Sequence, residues 1–128
     1  MAINYKIRAK TEPGVAGGGA KKFYATMATN GEATIDDIVK QIEMSSTFSE
    51  PDIRGTIYAL ENAIQDFLAN SKIVRLETLG SLYPTLSSKG ENSADEVDSG
   101  SIKKVGVYYR PGKRILETIN NTKFHKVK

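Results

Sequence analysis

The chain has no cysteine and a single histidine, His125. The first absence excludes disulfides and thiol chemistry, and the second leaves a zinc site or a nucleophile-and-base pair short of parts. Neither a metal nor a cofactor is expected, although a carboxylate-only site survives that argument. No window approaches the about 18 uninterrupted apolar residues of a membrane helix, and the opening stretch Met1-Ala-Ile-Asn-Tyr-Lys-Ile-Arg8 lacks the apolar centre of a signal peptide. The expectation is a cytoplasmic protein with no membrane partner. No carboxylate pair or histidine cluster stands out, which argues against an enzyme and against a small-molecule substrate. The glycine-rich stretch Pro13-Gly-Val-Ala-Gly-Gly-Gly19 is a flexible connection and departs from a phosphate loop. That motif needs a lysine directly after its last glycine and then Ser or Thr, whereas Ala20 follows Gly19 and Lys21 is followed by Lys22.

What is present is ordinary in amount and uneven in placement. At 128 residues, 39% hydrophobic and 26% charged, the chain suits one small soluble domain. Its net charge of +3 is mild, so the distribution matters more. Residues 1–33 carry five cations and two anions, residues 34–88 four and eight, residues 89–101 one and four, and residues 102–128 eight and one. Basicity therefore sits at the two ends, either as a solvated lysine-rich surface or as an electrostatic footprint for a polyanion.

Periodicity divides the chain further. Ile3 to Lys10 alternates Ile3, Tyr5 and Ile7 with Asn4, Lys6 and Arg8, and Lys22 to Thr29 is rich in aromatic and β-branched residues, so both read as strands. Their lysines and Arg8 offer a further basic surface. Thr34 with Asp37 three residues on is an acidic variant of the capping box, ahead of Ile35, Ile38, Val39 and Ile42 at helical spacing, and Asp36-Asp37 is explained as helix-start charge. After a break at Ser45-Ser-Thr-Phe48, Ser49-Glu-Pro-Asp52 supplies a second N-cap with an early proline. The stripe Ile53, Ile57, Leu60, Ile64, Phe67 and Leu68 then marks a long amphipathic helix to about residue 70. The two helices form a hairpin whose stripes need covering by a sheet or by a second copy of the chain. Ile73 to Leu86 reads as one strand with Gly80 as a bulge or close-approach point. Ser87 to Ser101 is polar and acidic and reads as a loop or weak hairpin tip. Val105, Val107 and Tyr109 restart a strand, and Pro111 is placed in the first turn of a last helix bearing Ile115, Leu116 and Ile119.

The corner Arg110-Pro-Gly-Lys-Arg114 sets a strand end beside a helix start, with three cations where unpaired backbone N–H groups gather. Cations oppose the dipole at a helix start, so Arg110, Lys113 and Arg114 make sense around an external anion; the alternative is that all three are simply solvated.

The order of elements, with Thr78-Leu-Gly-Ser-Leu82 in the place of a Gly-aromatic-Gly-x-aromatic turn and Tyr109-Arg-Pro-Gly-Lys113 as an aromatic-basic-Pro-Gly-Lys corner, resembles the HU and integration host factor family of histone-like DNA-binding proteins. The likeness covers roughly residues 34–120, and the added N-terminal segment resembles the extended relatives of Bacteroides-type bacteria. It implies an α+β fold: an intertwined homodimer with a helical hairpin as base, an antiparallel β saddle with short arms, a C-terminal helix, and here an extra N-terminal pair of strands. The expected divisions are an extension at 1–33, an HU-like domain at 34–120 with its arm at 87–103, and a basic tail at 121–128. The resemblance also implies a nucleoid-associated protein whose partner is double-stranded DNA, held by phosphate contacts with little sequence preference. By position it points to Gly80, Ser81, Arg110, Gly112, Lys113 and Arg114, with Lys103 and Lys104 as further contacts from the return strand of the arm.

The arm departs from the family pattern. Family arms are long, basic and tipped by a proline that kinks the duplex, whereas residues 87–101 hold no proline and no arginine and set Glu91, Asp95, Glu96 and Asp98 against Lys89. Weak kinking or none is therefore expected. The alternative function is a dimeric interaction or assembly module on the same fold, without DNA binding.

Overall fold

The computed structural model describes residues 1–11, 14, 17 and 19–128, so most of the glycine-rich connection at 13–19 lies outside the described residues. The architecture is α+β, with three α-helices and two three-stranded sheets among the described residues. By contacts the chain divides into two units, residues 1–38 with 119–128, and residues 39–118.

In the first unit, strands β1 (Ala2–Thr11) and β2 (Lys21–Met27) form the expected N-terminal antiparallel pair, with Tyr5 opposite Met27 and Lys10 opposite Lys22. The segment expected as a basic tail is structured differently. Residues Lys123–Lys126 form strand β6, which pairs in parallel with β1 and sets Ile3 beside Phe124. The cause lies in composition, because Phe124 supplies an apolar side chain at the parity that meets Ile3 and Tyr5 on one face.

Helix α1 (Ile35–Met44) starts where its acidic capping box places it. The Thr34 N–H donates to the Asp37 carboxylate at 2.9 Å, and the Asp37 N–H donates back to the Thr34 hydroxyl at 3.4 Å, so two otherwise orphaned donors are satisfied reciprocally. In the second unit, helix α2 (Glu50–Ala69) repeats the device. Ser49 is its N-cap, accepts from the Asp52 N–H and donates to the Asp52 carboxylate at 2.9 Å, with Pro51 in the first turn.

The stretch from Ile73 to Leu86 is two strands rather than one. β3 (Val74–Arg75) turns back through a short 3-10 segment at Glu77–Leu79 into β4 (Gly80–Ser88), with Val74 opposite Leu82 and Arg75 opposite Ser81. The chain reverses because Glu77 takes a left-handed conformation at φ 52° and the Leu76 N–H donates to the Gly80 carbonyl at 2.8 Å. β4 then pairs antiparallel with β5 (Ile102–Pro111), giving the order β3-β4-β5, and α2 packs against β3 and β4. Pro111 closes β5 opposite Gly80 instead of opening the last helix, α3 (Lys113–Asn120), whose N-cap is Gly112, the acceptor for the Leu116 N–H. Lys103 is the extra residue of a β-bulge, because Ser87 faces Lys104 and Ser88 faces Ile102.

The tip at 89–101 is tied down by its own polar groups. Asp98 caps a short 3-10 turn at Ser99–Ser101, and the buried Ser101 hydroxyl donates to Glu91 at 3.1 Å while its carbonyl accepts from the Lys89 N–H. The hydrophobic interior, by contrast, is thin. Val39, Ile53 and Val74 are its buried members among the described residues, and Leu86, Val105, Val107, Phe67 and Tyr58 all remain exposed. Among the described residues, no helix is long and apolar enough to cross a membrane.

Ser49→Ala removes the acceptor for the Asp52 N–H and is expected to cost about 1 kcal/mol, a typical figure for an N-cap loss. Thermal unfolding followed by circular dichroism checks this, with a melting temperature lowered by a few degrees.

Candidate nucleic-acid interface

The β3-β4-β5 sheet, in the place expected for the saddle, has two unlike faces because side chains alternate along each strand. One face carries Val74, Leu82, Pro84, Leu86, Val105, Val107 and Tyr109. The other carries Arg75 on β3, Ser81, Tyr83, Thr85 and Ser87 on β4, and Lys104, Gly106, Tyr108 and Arg110 on β5. None of these three strands contains a carboxylate.

Across the polar face, the pairings of Arg75 with Ser81 and of Ser81 with Arg110 line up a cation, a hydroxyl and a cation in one row. The Arg75 guanidinium donates to the Ser81 hydroxyl at 3.2 Å and to the Tyr83 phenol oxygen at 3.0 Å, and its Cζ lies 5.5 Å from the Tyr83 ring centre. Tyr83 in turn stands 6.2 Å from Tyr108, with the rings inclined at 45°. The hydrogen bond from Arg75 lowers the Tyr83 phenol below its usual range; desolvation opposes it, and the Arg75 charge with a smaller influence of Arg110 adds to the lowering.

The corner of the sheet is fixed by two glycines. Gly80 sits at φ 129°, and a Cβ there would lie 2.5 Å from the Arg110 carbonyl oxygen and 2.7 Å from the Tyr109 ring. A Cβ on Gly112 would overlap the Thr78 carbonyl. Bare backbone is therefore required at both positions for the turn after β3, the end of β5 and the start of α3 to meet. The Tyr109 hydroxyl seals the arrangement by donating to the Leu79 carbonyl at 2.6 Å.

Of the residues singled out in the sequence, Gly80, Ser81, Arg110 and Gly112 come together at this corner, and Lys113 and Arg114 follow in the first turn of α3. Lys113 lies 3.9 Å from Glu117 one turn on, a loose ion pair between exposed groups. Lys104 shares the polar face but stands six residues from Arg110, about 20 Å at the strand rise of roughly 3.3 Å per residue. Lys103, in the bulge, stands outside the regular alternation. Arg75 and Tyr83 were absent from the sequence-derived set. The readable signal was parity, since Arg75 and Ser81 share a face only once the chain between them is recognised as a turn. Among the described residues no group of three His, Asp or Glu side chains is placed to hold a metal ion.

The chain matches, over residues 1–126, the family described as an HU domain fused to a wHTH, Ig or glycine-rich motif. None of the curated proteins matches it. Among solved structures, it is similar to a Bacteroides vulgatus protein described, provisionally, as a bacterial DNA-binding protein, at 15% identity and a TM-score of 0.68. That likeness takes in 98% of this chain and 48% of the other, so the chain spans about half the length of the solved protein.

Two outcomes follow from this geometry. Gly112→Ala is expected to destabilise the fold by about 2 kcal/mol or more, as forced overpacking does, while Gly90→Ala, where a Cβ meets only open space, leaves the melting temperature unchanged. Arg75→Met is expected to raise the Tyr83 pKa towards its ordinary value of 10.0, seen as a shift of the phenolate absorbance to higher pH. Because the folded-state pKa is the lower one, any contribution of this ionisation to stability is present in full above the unfolded pKa and is lost as pH falls through the folded value.

Proposed function

The chain belongs to the family of HU domains fused to wHTH, Ig or glycine-rich motifs, and from that premise we propose that it is a non-enzymatic architectural protein that binds double-stranded DNA through phosphate contacts. The observation that carries this reading is the carboxylate-free polar face, where Arg75, Ser81 and Arg110 stand in a row beside the corner that presents Lys113 and Arg114. Guanidinium groups and hydroxyls on a face without acids match a phosphate backbone, and Tyr83 and Tyr108 add flat surface beside them. Such contacts position the protein on a duplex without reading its sequence, so binding is non-specific and salt-sensitive.

The binding form is a homodimer. An exposed apolar sheet face and a hollow of about 740 Å³ lined by Leu68, Pro84, Leu86, Val105 and Val107 support this. With Val105 75% and Val107 57% exposed, a chain of this size leaves uncovered the surface it needs to offset the entropy of folding, and a second copy with the same face covers it. Duplex kinking by the arm is weak, since the tip folds on itself around Ser101 and presents Asp95, Glu96 and Asp98. The same acidic tip is the observation that favours the alternative, an HU-fold assembly module whose partner is a protein.

Titration into a fluorescent duplex of about 30 base pairs at several salt concentrations tests the reading. Each phosphate contact contributes roughly 0.9 to the slope of log affinity against log salt, so Arg75→Ala with Arg110→Ala is expected to reduce the slope by about two, and Lys113→Ala with Arg114→Ala by a similar amount. Sedimentation equilibrium is expected to give a dimer, converted to monomer by Val107→Glu. A dimer that binds no duplex at low salt points to the assembly module instead.

A further inference from the structure

The three-stranded sheet of β1, β2 and β6 also has two unlike faces, with Lys21 and Lys126 at the margins of the more apolar one, and the saddle does not account for it. Its register places Ile3, Tyr5, Ile7 and Ala9 with Phe23, Ala25, Met27 and Phe124 on one face. The opposite face carries Lys6, Arg8 and Lys10 from β1, Lys22 and Tyr24 from β2, and Lys123 with His125 from β6. All five of these lysine and arginine side chains are exposed, and none of the three strands contains an Asp or Glu.

Cations recur along that face without an acid in any of its strands, and Lys10 stands directly opposite Lys22. Arg8 stands opposite Tyr24, which is 40% exposed, so an aromatic side chain lies beside a cation in the middle of the charged face. Alternating cations with an interleaved aromatic suit a polymer carrying regularly spaced negative charge and planar bases. An anionic membrane fits less well, because the apolar side chains that would enter it, Phe23, Met27 and Phe124, lie on the other side of the sheet.

We propose that the Lys6, Arg8, Lys10, Lys22 and Lys123 face of the β1-β2-β6 sheet is a second phosphodiester-binding surface, separate from the saddle row and centred on Arg8 and Tyr24. The last strand is part of it. β6 brings Lys123 from the far end of the chain beside Ala2, so residues that look like a loose tail complete a surface built mainly from the first thirty. The proposal stands on this sheet alone and does not require the saddle to bind DNA.

The test uses the full chain with a duplex of about 30 base pairs and a single strand of the same length, each titrated over a salt series. Lys6→Ala with Arg8→Ala and Lys10→Ala is expected to lower the slope by about two to three for a duplex, at roughly 0.9 per contact, and by about two for a single strand, at roughly 0.7. Circular dichroism verifies that the fold is retained, and Arg8→Gln alone, a milder change, is expected to lower the slope by about one. Tighter binding of the unaltered protein at equal salt identifies which of the two forms, duplex or single strand, is held. The same loss is expected when Arg75→Ala and Arg110→Ala are already present. If the saddle variants change nothing while the Lys6, Arg8 and Lys10 variant abolishes binding, this surface stands and the saddle reading falls. Slopes unchanged by the β1 variants in a folded protein overturn the proposal, as does capture of anionic phospholipid vesicles in preference to either nucleic acid.

Discussion

Three backbone segments meet at one corner without room for a side chain between them: the turn at Thr78, the start of β4 at Gly80 and the helix start at Gly112. The Thr78 carbonyl occupies the space a Cβ on Gly112 would take, and the Arg110 carbonyl crowds the same position on Gly80. Much of the saddle depends on this contact. It fixes Gly80 opposite Pro111, which sets Ser81 opposite Arg110, and by the period of two that carries the alternation along both long strands. A slip of one residue would exchange the Arg110, Tyr108 and Lys104 face for the Tyr109, Val107 and Val105 face, and so exchange the polar surface for the apolar one. Tyr109 reinforces the register from below by holding the Leu79 carbonyl.

What could be read from the sequence was whatever is decided locally. The two capped helix starts, Thr34 with Asp37 and Ser49 with Asp52, need only residues three apart, and the structure satisfies both through the hydrogen bonds that the pattern implies. The alternation of β1 and the stripe of α2 are equally local. The break between β3 and β4 was illegible because it turns on Glu77 adopting φ 52°, a conformation that no residue type announces unless it is glycine or asparagine. With that turn unseen, Arg75 had no reason to be associated with Ser81 and Tyr83. Pro111 has two acceptable readings in sequence, helix start or strand end, and the pairing partner Gly80, some thirty residues earlier, selects between them. β6 was the least legible element, a four-residue strand in parallel pairing with the opposite end of the chain.

The distribution of charge follows the same division of labour. Among the described residues, none of the six strands contains an acidic residue, while the carboxylates of Asp36, Asp37, Glu50 and Asp52 gather in the first turns of α1 and α2, where they favour the positive end of each helix dipole. A net charge of +3 therefore understates what either sheet presents. Further acids lie along the helices and in the β4–β5 tip, and the polar positions of the strands hold chiefly lysine, arginine, serine, threonine and tyrosine.

That segregation makes the apolar faces intelligible as well. A sheet keeps one face for water or a ligand only if the other is covered, and Val39, Ile53 and Val74, the buried hydrophobic members among the described residues, cannot supply the cover for Leu86, Val105 and Val107. The hollow bounded by the end of α2 and the β4–β5 ribbon is lined by these same side chains. A partner seated there would do more than hide apolar surface. It would fix the ribbon from the back and so stiffen the row of Arg75, Ser81 and Arg110 at the front, because a strand twists and bends as one body with side chains on both sides. Covering the apolar face and presenting the basic one are in this sense a single structural event, linked by the two-residue period of the strands.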